Sequence, residues 1–143
     1  MYAIEITKGF GPIAFGDTPS QVQNMWQQPL FYEDWMGGNL ENLLYFKGLL
    51  VGFRGEIDDA PTENSHVCMF RIKADLPLTL WQQPISNATF EAITTLLQHR
   101  GYSYEQRETP PQMGSIIDCS PVPLQFIFNR NNCLDEVYIA DRS

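Results

Sequence analysis

Strands that follow one another with almost no connecting chain are the feature that most restricts this protein. In ENLLYFKGLLVGFRGEI (41–57) two apolar runs meet at Lys47-Gly48, and Leu49, Val51 and Phe53 alternate onto one face. SHVCMFRIKA (65–74) reads as a further strand, with Val67, Met69 and Arg71 on one face and His66, Cys68, Phe70 and Ile72 on the other. Parallel crossovers need about a dozen residues or more, so these neighbours are expected to form an antiparallel meander. Between them, GEIDDAPTEN reads as a solvated loop.

The same order of elements recurs along the chain. YAIEIT (2–7) reads as an edge strand and GPIAF as a short strand after a Gly-Pro turn. Thr18 then precedes Pro19, with Gln21 three places on: a capping box with proline in the first helical position. Val22, Met25 and Trp26 form the buried stripe of a short helix that Pro29 ends. In LTLWQQPISNATFEAITTLLQHRGY a strand-like start leads to a cap at Ser86 or Asn87. The helix that follows carries Phe90, Ile93 and Leu97 at helical spacing, His99 and Arg100 in its last turn, and Gly101 as terminator. YSYEQ, SIIDC, LQFIF and EVYIA are strand candidates, with Asn131-Asn132 in the loop before the last. Setting Val22, Met25 and Trp26 over Phe90, Ile93 and Thr94 places Thr18 over Ser86. The expectation is an α+β chain of two tandem helix-plus-antiparallel-meander units, approximately 1–75 and 76–143, sharing or packing their sheets in a single domain 1–143. The tetrapeptide Trp-Gln-Gln-Pro, at Trp26 and again at Trp81, lies at a different offset and is read as coincidence.

Several kinds of chemistry have no foothold here. The start MYAIEITKGF has a strand pattern, and no apolar run approaches the roughly 20 residues that span a bilayer, so neither a leader nor a membrane span is expected. Three widely spaced cysteines, Cys68, Cys119 and Cys133, do not make a disulfide framework and suit a reducing cytoplasm. They also lack C-x-x-C or C-x-x-H spacing, so packing rather than a metal site is expected, and no cofactor is implied. A net charge of -8, without a basic patch, opposes direct binding to nucleic acid. The glycines of KGFGPIAFGDTPSQVQNMW miss the spacing of phosphate-binding loops, and Asp17 stands where a phosphate would sit; turn and close-approach roles are expected for them. No nucleophile, base and carboxylate converge in the pattern, so the chain does not read as an enzyme.

Aromatic and acidic residues together are the remaining signal. PLFYEDWMGGN sets Phe31, Tyr32 and Trp35 around Glu33 and Asp34 in a glycine-ended loop, the composition of an anchored and charge-selected protein interface. Asp58 and Asp59 extend the acidic character, and YSYEQRETPPQMG adds Tyr102, Tyr104 and Glu105 beside a stiff Pro110-Pro111 pair. The same residues equally suit rings covering the end of a small core. Tyr102 and Tyr104 converging with Trp81 would instead suit a small-ligand or peptide-binding module on a curved antiparallel sheet. Free sheet edges would also allow two copies to pair as a homodimer.

The run formed by Gly9, Gly11, Ile13, Phe15, Gly16, Thr18 and Val22 resembles the opening of small bacterial immunity proteins found beside polymorphic or contact-dependent toxins. The tandem helix-plus-meander order is similar to that of the beta-lactamase inhibitory proteins, whose sheet forms a concave inhibitory surface. The motif spans about 15 residues and the architectural likeness most of the chain; neither carries an inhibitory residue onto a position here. With no leader expected and no evident disulfide pair, the chain is read as departing from the secreted inhibitors. What the resemblance implies is a cytoplasmic neutraliser of a cognate, basic, nuclease-type toxin, acting by occlusion of the toxin's active or substrate-binding surface.

Overall fold

The computed structural model describes residues 1–26, 30–32, 43–58, 60–107, 109 and 114–141, with side chains placed for all of these except 30–32, 56–58, 60 and 61. The fold is α+β. Strands β1 (Tyr2–Glu5), β2 (Gly9–Phe10) and β3 (Ile13–Ala14) lead to helix α1 (Pro19–Met25). Strands β4 (Leu30–Tyr32), β5 (Leu43–Phe46), β6 (Leu49–Asp58) and β7 (Ala60–Lys73) follow. After β8 (Leu78–Leu80), β9 (Gln83–Pro84) and helix α2 (Phe90–His99) come β10 (Glu105–Arg107), β11 (Ile116–Asp118), β12 (Leu124–Phe128) and β13 (Leu134–Ala140).

Two sheets result. The larger has eight strands in the order β10-β11-β12-β13-β7-β6-β5-β4, antiparallel throughout; the smaller has five, in the order β3-β2-β1-β8-β9. β1 is therefore not an edge strand but the centre of its sheet, and it pairs with β8 in parallel, Tyr2 opposite Leu78 and Ile4 opposite Leu80. The rule against parallel pairs held for neighbours in sequence. It does not bind β1 and β8, whose connection runs through α1 and four strands of the larger sheet.

The opening motif is accounted for by packing and turns. Gly9 has φ +148, and a Cβ there would run into the carbonyl oxygen of Ile13, so only glycine lets β2 and β3 close. Ile13 and Val22 are buried, Phe15 stacks on Phe70 at 5.4 Å, and the Gly16 amide donates to the Val67 carbonyl at 2.9 Å. Thr18 caps α1 as expected: its amide donates to Gln21 Oε1 at 2.9 Å, its Oγ1 accepts from the Gln21 amide, and Pro19 opens the helix. The helix ends at Met25, with Trp26 as its C-cap, before Pro29 is reached. Met25 is exposed, so the stripe reduces to Val22 and Trp26, one turn apart.

Alternation is right in β6, where Leu49, Val51 and Phe53 are all buried, but fails in β7. Gly52 pairs with Met69 while Phe53 pairs with Val67, leaving Cys68 as an extra residue. That bulge resets the phase: Val67, Phe70 and Ile72 face the core together, and Cys68, Met69 and Arg71 do not. GEIDDAPTEN is likewise not a loop. Its described residues, 55–58 and 60–64, continue β6 and β7, with Asp58 opposite Ala60.

The expected Ser86 cap is displaced too. Thr89 caps α2, its Oγ1 accepting from the Ala92 amide at 3.2 Å, while the Ser86 hydroxyl accepts from the Leu78 amide and donates to the Leu76 carbonyl, both at 2.7 Å. Ile93 and Leu97 are buried, and the helix closes on Gly101 at φ +73. There the Gly101 amide donates to the Gln98 carbonyl at 3.1 Å and the Tyr102 amide to that of Leu97 at 2.9 Å.

Candidate functional site

Among the described residues, the covering elements lie on one face of the large sheet. Phe10 and Phe15 from the small sheet region meet Phe70, Trp26 of α1 meets Phe46, and Phe90 of α2 meets Phe128 at 5.3 Å. The strand residues of that face, such as Leu49, Ile72, Val137, Phe126 and Ile117, are at most 1% exposed. On the opposite face, Tyr45, Leu50, Arg71, Tyr138 and Gln125 stand in one row across five strands, all partly or fully accessible. Lys73, Glu136, Ile127 and Ile116 form the next row. No described element packs over this face.

Its charges are matched within it. Arg71 grips Glu136 at 2.7 Å, and Lys73 lies 3.7 Å from Glu136 and 3.8 Å from Asp135. Near the far edge, Arg107 pairs with the buried Asp118. Burial pushes the Asp118 carboxyl up, but hydrogen bonds from the Ser120 hydroxyl and amide, together with Arg107, outweigh it and hold the group below the usual carboxylate range. The thiols are the reverse case. Burial, with Asp118 adding to it, raises Cys119 to about 11, and burial raises Cys68, so neither is a thiolate near neutral pH.

The residues singled out from the sequence do not form one cluster. Phe31 and Tyr32 are in strand β4, on one edge of the large sheet, not in a loop; Glu105 begins β10 on the other edge. Eight strands at roughly 4.8 Å spacing put those edges about 34 Å apart. Glu33, Asp34, Trp35 and Asp59 lie outside the described residues, and Asp58 is at the end of β6. Tyr104 is half-buried and accepts from Gln98 Nε2 at 3.4 Å, whereas Tyr102 does meet Trp81.

A second site gathers around that ring pair: the convergence of Tyr102 with Trp81 is an expectation of the sequence, whereas Arg100 and Lys8 beside it are not. Trp81 and Gln82 form the two-residue turn between β8 and β9, both with positive φ, +50° and +67°. The Trp81 ring lies 4.9 Å from Tyr102, and the Arg100 guanidinium sits 5.2 Å from the Trp81 ring centre. With Glu5 and Lys8, these three residues line a cleft of about 560 Å³ on the small sheet. Arg100 also borders a groove of about 710 Å³ along α2, lined by Ala88, Ala92 and Leu96. Among the described residues, no group of three His, Cys, Asp or Glu side chains is placed to hold a metal ion, and no helix is long and apolar enough to cross a membrane.

Comparisons with family models, with curated proteins and with solved structures returned no match to this chain. The class that the described residues define is accordingly a physical one: an α+β chain with a broad antiparallel sheet, one face of which no described element covers.

Proposed function

We propose that the chain is a cytoplasmic immunity protein that binds a cognate basic toxin, of nuclease type, through the uncovered face of its large sheet and neutralises it by occlusion. The observation that carries this reading is the face itself. A central apolar and aromatic strip, with Tyr45, Leu50, Ile127 and Tyr138 partly accessible, is crossed by charges already paired with one another. That leaves the surplus acid of the -8 chain to select a partner from around the strip. Phe31 and Tyr32 on β4 and Glu105 on β10 are too far apart to hold one small ligand. They are within the breadth of a partner that buries about 800 Å² on this chain. Glu33 and Asp34 follow Tyr32 directly in sequence. The two halves are proposed to be tandem units. In support, each sets a threonine-capped helix before a four-stranded antiparallel run, and the two runs join at β7 and β13.

The test begins with co-purification from the native host, neighbouring gene products co-expressed, and identification of any stoichiometric basic protein released by salt. With that partner purified, Tyr138→Ala is expected to cost about 2 kcal/mol, roughly thirtyfold in affinity, and Leu50→Arg at least as much. Glu33→Lys with Asp34→Lys is expected to slow association and flatten its salt dependence. Folded Leu50→Arg and Tyr138→Ala proteins that bind at full affinity would overturn the assignment of this face.

A further inference from the structure

We infer that the cleft beneath Trp81 binds a small aromatic monocarboxylate. The cleft belongs to the five-stranded sheet, and the inference stands apart from the reading of the large sheet's open face.

Charge is the first argument. The chain as a whole is strongly negative, yet Lys8 and Arg100 both border this one cleft, and among the described residues neither makes an ion pair with a carboxylate. Arg100 spends one terminal amino group on a long contact, 3.5 Å, to the Trp81 carbonyl, and the rest of its planar fork remains for a ligand. Two accessible cations in a locally reversed field call for an anion. Glu5 lines the same cleft, on the side of β1 opposite the buried Ile4, and is also without an ion-pair partner among the described residues. A doubly charged phosphate would meet that carboxylate as well as the overall charge, so a single negative charge fits best.

The rings supply the rest of the recognition. Trp81 and Tyr102 are inclined at 56° with centres 4.9 Å apart and touch each other, with Arg100 over the Trp81 ring; an aromatic body would pack on the surfaces that this group turns to the cleft. Their placement has a conformational cost. Two-residue hairpin turns with both φ positive favour Asn-Gly, whereas this turn holds Trp-Gln, and a bulky residue in the left-handed region is strained. Arg100 and Tyr102 flank Gly101 in the hydrogen-bonded terminus of α2, so guanidinium and ring come to the cleft on a fixed frame. Groups held in this way lose little freedom when a ligand arrives. The size suits a small ligand as well, since about 560 Å³ falls within the usual range of roughly 300 to 1,000 Å³.

Titration of the intact protein with phenylacetate, followed by ¹H–¹⁵N spectra, tests the site, with the Trp81 indole signal assigned from Trp81→Phe. A saturable shift of that signal and of the Arg100 and Tyr102 amides is expected, with acetate at least tenfold weaker because it lacks the ring. Arg100→Gln and Lys8→Gln, both at exposed positions, are each expected to weaken phenylacetate at least tenfold while the remaining spectrum stays dispersed. No saturable shift up to about 10 mM phenylacetate would overturn the site. Unchanged affinity in both variants would overturn the role of the cations, and phenyl phosphate binding as tightly as phenylacetate would overturn the monocarboxylate.

Discussion

Trp26 and Trp81 open the same tetrapeptide, Trp-Gln-Gln-Pro, and meet opposite fates. Trp26 is the C-cap of α1, 3% exposed, with its ring 4.7 Å from Tyr2, 5.6 Å from Phe10 and 6.5 Å from Phe46. Trp81 begins a tight hairpin turn, half-buried, beside one ring and one guanidinium. What precedes each accounts for the difference. Four residues before Trp26 stands Val22, so the helix carries both to one buried face, whereas Leu80 before Trp81 is a strand residue paired with Gln83 across the turn. Identical local sequence thus yields a core anchor in one place and a presented aromatic in the other.

That contrast can be broken or sharpened by substitution. The largest effect is expected for Trp26→Ala, which empties a site walled by three rings and should cost about 3–5 kcal/mol in chemical denaturation; a loss below about 1 kcal/mol would mean the ring is not an anchor. Gly101→Ala forces a left-handed alanine into the terminus that positions Arg100 and Tyr102, with an expected loss of about 1–2 kcal/mol and weaker phenylacetate binding in the same titration. Trp81→Ala should cost only about 1 kcal/mol of stability, because the ring is only partly buried and alanine keeps the same left-handed backbone penalty. A loss as large as that of Trp26→Ala would erase the distinction. Smallest is Gln82→Gly, expected to raise stability by about 0.5 kcal/mol, since glycine removes the left-handed penalty at φ +67° at some cost in chain entropy. Destabilisation by this variant would show that the Gln82 side chain makes a favourable contact.

Much of the fold was legible where a local rule has no competitor. Thr18, Pro19 and Gln21 specify a helix start because one hydroxyl and one amide satisfy backbone groups within reach. Gly101 specifies a helix end because few other residues adopt its φ. The misread places are those where a distant strand decides. Cys68 is one residue too many only in relation to Gly52 and Phe53, so no periodicity within β7 announces the bulge. Ser86 has the composition of a cap, yet its hydroxyl serves Leu76 and Leu78, while Thr89 takes the helix. The candidate sites divide similarly. Aromatic and acidic segments could be seen along the chain, but Trp81, Arg100 and Lys8 meet through the pairing of β1 with β8 and the end of α2.

By itself the sequence determined the α+β class, both helices and most of the strands, because caps, turns and alternation act over fewer than about ten residues. Only the tertiary structure decided that β1 and β8 pair in parallel, that β7 and β13 join one eight-stranded sheet, and that the described covering elements all pack on one face of it. Those outcomes rest on contacts between segments far apart in the chain. Their free energy depends on apolar area buried jointly, a quantity that no single segment contains.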